Sequence, residues 1–108
     1  MTWPRRLTEA VLESPGHTSS QLRRAVEARA ATLGGRPGAG DSVPDPLAGY
    51  VEKVAQRAYT ITDADLTALG RAGYSDDELF EVTVSAALGA ALARLERGLA
   101  ALRGEDPV

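Results

Sequence analysis

From Val82 to Ala93 the chain runs twelve residues without a charge, inside a segment that is charged at both ends. Leu88 and Leu92 belong to a longer series, Phe80, Val84, Leu88, Leu92, Leu95, Leu99 and Leu102, spaced by four and three. That spacing predicts one long helix from about Asp76 to Arg103, on the order of 40 Å in length. A second stripe of mostly small residues, Val82, Ala86, Gly89, Ala90 and Ala93, lies beside the first. A helix without charge on any face is expected to be buried on every face, and this stretch is too short to span a bilayer. Few short elements are left in the chain to surround it. The expectation is therefore that one stripe packs on the chain's own helices and that Val82, Ala86, Gly89, Ala90 and Ala93 form a subunit interface. Gly89 sharpens the point, because a mid-helix glycine costs about 1 kcal/mol relative to alanine and calls for a packing reason.

The rest of the chain reads as four shorter helices and no strand. Pro4 sits near the first turn of a helix from about Arg5 to Glu13, which Ser14-Pro15-Gly16 stops. Thr18 and Gln21 have the spacing of a capping box for a second helix, carrying Leu22, Ala25, Val26, Ala30 and Leu33. Residues 34–45 are rich in Gly and Pro and read as a mobile linker. Asp45-Pro46 is a helix start, and Leu47, Tyr50, Val51, Val54, Ala55 and Ala58 give that third helix one apolar face. Thr62 caps a fourth helix, which Gly70 and Gly73 end. Ser75 caps the fifth, with Glu78 three residues on. At 108 residues this is one all-α domain, residues 1–108. It comprises an N-terminal helical pair (1–33), the linker (34–45) and a helical core (46–103), arranged as an orthogonal or antiparallel bundle.

Composition removes several function classes. Twelve basic and fifteen acidic residues give a net charge of −3, against nucleic acid or an anionic membrane as ligand. A DNA-binding helix-turn-helix is a poor reading for the same reason: Asp76, Asp77 and Glu78 would open the recognition helix. There is no Cys and only one His, His17, so thiol chemistry and a His-rich metal site are unexpected. No cofactor or metal is expected. An apolar run of signal-peptide length does not follow Trp3-Pro4-Arg5-Arg6, and a cytoplasmic location is the default. The apolar stock is mainly Ala, Leu and Val, with one Phe and one Trp. Such a core is thin for a monomer, and association is a standard remedy.

The acidic groups are read first as helix-end electrostatics. Asp76, Asp77, Glu78 and Glu81 oppose the positive end of the last helix, and Asp63 and Asp65 do the same for the fourth. His17 reads as a solvated loop residue, and Arg23-Arg24 with Arg29 as a solvated helix face.

The segment ITDADLTALGRAGYSDDELFEV that begins at Ile61, with the Ala/Leu-rich helix after it, resembles the carboxymuconolactone decarboxylase and alkylhydroperoxidase-D-like superfamily. The resemblance covers about Leu47 to Leu102 and implies an all-helical protein assembled through its long helices. It does not carry the chemistry of the peroxidase-type members. Counted back from Gly73, their Cys-x-x-Cys pair falls on Ala58 and Ile61 and their His on Asp65. The expected function is accordingly that of a non-catalytic or degenerate member, a homo-oligomeric structural or accessory partner. The alternatives are a cofactor-free acid–base enzyme of decarboxylase or lactone type, or a module that binds a helix of an unlike protein. For the enzyme, Asp65 would be the base, with Tyr59 or Glu52 assisting.

Overall fold

A computed structural model describes residues 2–38 and 42–104. Five α-helices follow one another: α1 Trp3–Glu13, α2 Ser20–Leu33, α3 Asp45–Gln56, α4 Asp63–Arg71 and α5 Asp76–Leu102, with a 3-10 turn at Ala58–Thr60 between α3 and α4. The described residues contain no strand.

The centre of the molecule is α2 laid along α5. Thr18, just before α2, meets Glu81; Glu27 meets Gly89; Gly35, just after α2, meets Arg97. Positions in both helices rise together, so α2 and α5 run parallel and in register. Two parallel helices cannot be joined by a short turn. The intervening chain, with α3 and α4, is the return connection, and α3 packs on both.

Gly89 is what lets the two backbones meet. A Cβ built there would lie 2.2 Å from the Glu27 carbonyl oxygen and 3.1 Å from the Ala31 nitrogen, far inside contact distance. The glycine thus has its packing reason within one chain. Val82, Ala86 and Ala93 have no exposed surface and Ala90 only 2%. This corrects the expectation from sequence: Val82, Ala86, Gly89, Ala90 and Ala93 are covered by the chain's own helices, so they do not form a subunit interface. The inference failed because α2, itself rich in alanine, approaches closely enough to cover the small-residue stripe alone. The uncharged segment is also not buried all round, since Ala87 and Ala91 face outward.

The main core gathers Val26 and Ala30 from α2, Leu47, Tyr50, Val51 and Ala55 from α3, Leu69 from α4, and Leu79, Val82, Ala86 and Ala90 from α5. The Tyr50 hydroxyl is satisfied by Thr83 Oγ1 at 2.5 Å. A smaller cluster seats Leu12 of α1 on Leu88 and Leu92. Phe80, expected in the buried stripe, is 68% exposed; it lies at the edge of a shallow surface pocket that Ala10 and Val11 of α1 also line.

Helix ends are satisfied locally and by arginines from neighbours. Capping boxes at Thr62/Asp65 and Ser75/Glu78 are both complete. The cap of α2 is Ser19, whose side chain accepts from Leu22 N; Thr18, expected in that role, binds Glu81 instead. Arg23 is 5% exposed and donates to the Val11 and Ser14 carbonyls at 2.7 and 2.6 Å. It is an internal cap for the end of α1 rather than part of a solvated face. Arg94 donates to Ala55 O at 2.6 Å and Arg97 to Gly35 O at 3.0 Å. Part of the expected linker is therefore fixed: Arg36 bridges Glu27 of α2 at 3.0 Å and Glu96 of α5 at 3.1 Å. Residues 39–41 of that linker lie outside the described part.

Candidate functional site

Asp65 lines a cleft of about 310 Å³ between α3 and α4, together with Pro46, Gly49, Tyr50, Lys53, Ala68 and Leu69. Tyr59 and Glu52 are absent from that wall. Tyr59 stands in the 3-10 turn with 87% of its surface exposed, and Glu52 lies 3.5 Å from Arg57. The three residues weighed as an acid–base set are thus not assembled in one pocket. Asp65 is also held in another task. Its Oδ2 accepts from Lys53 Nζ at 2.9 Å and from Thr62 N at 2.9 Å. The bond from Lys53, then the one from the Thr62 backbone, hold its carboxyl below the usual carboxylate range. A base must take up a proton near the working pH, and a carboxylate held this way is poorly suited to do so.

A second constellation was not singled out as a group in the sequence. Glu81 receives the loop between α1 and α2: His17 N donates at 2.7 Å, Thr18 N at 2.8 Å and Thr18 Oγ1 at 2.5 Å. His17 Nδ1 lies 3.3 Å away, and its Nε2 lies 3.6 Å from Asp77. Burial raises the Glu81 carboxyl, but the hydrogen bonds from Thr18 and His17 outweigh it and bring the value down to about 2. Gly16 leaves room for this carboxylate, since a Cβ there would sit 2.7 Å from Glu81 Oε2. An imidazole flanked by two carboxylates can relay protons. Here the inner carboxylate is engaged by three loop donors, so its evident task is to pin the loop to α5. Among the described residues no group of three or more His, Cys, Asp or Glu is placed to hold a metal ion.

The third feature is a groove of about 660 Å³ between α1, α2 and the C-terminal half of α5. Its apolar lining includes Leu12, Leu92, Leu95 and Leu99. The charged residues around it are Arg5, Glu9, Arg24, Glu27, Arg36 and Glu96, three of each sign. Several are already paired: Arg36 joins Glu27 to Glu96, and Arg24 joins Glu13, which lies outside the groove. Beyond the groove, Leu102 is 85% exposed, and on α1 Trp3 and Leu7 are 51% and 43% exposed. The sequence carried a signal for this surface, because the leucine series continues to Leu102 after α2 has ended. The small-residue stripe drew the interface assignment away from it.

No helix of the described residues is long and apolar enough to cross a membrane. Compared with known protein families, with curated proteins and with solved structures, the chain shows no match.

Proposed function

We propose that this chain is a non-catalytic helical protein that acts by associating with copies of itself, in a structural or accessory role. The observation that carries the reading is the leucine-lined groove along α1 and α5, whose charged margin is largely spent on internal ion pairs. Such a surface suits apolar contact with protein and offers little for acid–base chemistry. The separation of Asp65, Tyr59 and Glu52 argues in the same direction. A degenerate member of the carboxymuconolactone decarboxylase-like superfamily fits this proposal, with α5 as the long helix through which copies meet.

Light scattering during gel filtration tests the reading. At tens of micromolar the expected mass is a multiple of the chain's 11.3 kDa. A mass that stays at one chain across a hundredfold range of concentration would remove self-association from the proposal.

A further inference from the structure

We infer that α1 is a detachable strap, which opens from α5 as one unit while α2, α3 and α5 stay folded. The inference concerns a single chain and does not depend on what the groove binds.

The helix has little of its own to hold it together. It is 11 residues long, a length at which an isolated helix is marginal in water. Thr2 makes no side-chain cap bond, and the first turn holds no acidic residue and the last no basic one. Arg5 and Arg6 stand instead at the positive end and Glu13 at the negative end, so each charge opposes the helix dipole. α1 therefore persists by its contacts with the rest of the chain.

Those contacts are few. Leu12 is the one buried residue of α1, seated on Leu88 and Leu92, and α1 gives nothing to the main core of α2, α3, α4 and α5. The latch is Arg23, which donates to the Val11 and Ser14 carbonyls. Its closed state carries a cost. Arg23 is 5% exposed and its Nε has no partner. Among the described residues no carboxylate lies within ion-pair distance of it. Opening returns that group to water and offsets part of what the latch gains.

The fold also supplies a pivot. Glu81 holds His17 N, Thr18 N and the Thr18 hydroxyl, so the chain is anchored to α5 just before α2 begins. Pro15 and Gly16 lie between that anchor and α1. Pro4, Arg5, Thr8, Glu9 and Leu12 of α1 form one wall of the groove. Opening removes that wall and bares Leu88 and Leu92, so the state of α1 decides whether the groove exists.

Amide hydrogen exchange read by NMR on the full chain, diluted until single chains predominate, tests this. Leu7 to Glu13 should share one level of protection, at least a hundredfold below that of Val26 and of Val82 to Ala86, because a cooperative unit opens all its amides together. Leu12→Ala should lower protection throughout α1 at least tenfold further and leave α2 and α5 unchanged. Protection in α1 equal to that of α2 and α5 overturns the strap. So does protection that declines gradually from Glu13 toward Trp3, which is fraying from the end. A Leu12→Ala variant that loses protection equally in α1, α2 and α5 overturns it as well, since α1 is then integral to the fold.

Discussion

Adding one methyl group at position 89 should destabilise the protein by roughly 2–4 kcal/mol, at the severe end for overpacking. Helix propensity alone argues the other way, since alanine is preferred to glycine in a helix by about 1 kcal/mol. The clash decides the sign. In Gly89→Ala the new Cβ would stand 2.2 Å from the Glu27 carbonyl oxygen and 2.9 Å from its carbon. These are backbone atoms of α2 and cannot rotate away, so the helices must separate. Separation would open the contact that buries Val26, Ala30, Val82 and Ala86. Gly98→Ala is the matched comparison, because space around it is open. At dilutions where only single chains are present, it should leave stability equal or raise it by up to about 1 kcal/mol. Urea unfolding followed by circular dichroism measures both. If Gly89→Ala unfolds at the wild-type urea concentration, the close parallel approach of α2 and α5 is wrong.

What the sequence made legible follows the range of each interaction. The starts of α4 and α5 were readable because a helix cap is complete within four residues: Thr62 and Ser75 were both identified as caps, the latter with Glu78, and the structure adds Asp65 as the second half of the box at Thr62. The order of helices followed from period and from Gly and Pro positions. Errors arose where a local pattern competed with a distant partner. Thr18 has the spacing of a cap but spends its hydroxyl on Glu81, 63 residues away, and Ser19 caps in its place. Arg23 looks like surface beside Arg24, yet it is buried on the carbonyls of Val11 and Ser14. Gly89 was rightly read as a close approach, but spacing along one helix cannot say whether the approaching backbone is a neighbour's or the chain's own. Asp65 was legible both as a helix-start residue and as a candidate base. Only the position of Lys53, one helix back, shows that the carboxylate is already engaged.

Glu81 gives the second large effect, and it depends on pH. The carboxyl has an ordinary value of 4.5 and lies at about 2 in the folded chain, because the donors from Thr18 and His17 outweigh the cost of burial. A depressed folded value means that the unfolded chain takes up the proton first as pH falls. The stabilisation is therefore complete above about pH 5–6 and is lost as pH drops through 4.5 toward 2. With 18% of the side chain still exposed, the contribution at neutral pH is roughly 2–3 kcal/mol, slightly below the full linkage value. Glu81→Gln keeps the shape and one acceptor oxygen but cannot ionise. The difference in unfolding free energy between wild type and Glu81→Gln should be roughly 2–3 kcal/mol at pH 7 and shrink steadily below pH 4.5. Asp65, also held low, makes both proteins less stable in acid and cancels in the comparison. Denaturant titrations at several pH values between 7 and 2.5 read the difference directly. A difference that does not change with pH would show that the loop of His17 and Thr18 is held by shape alone, and not by the charge on Glu81.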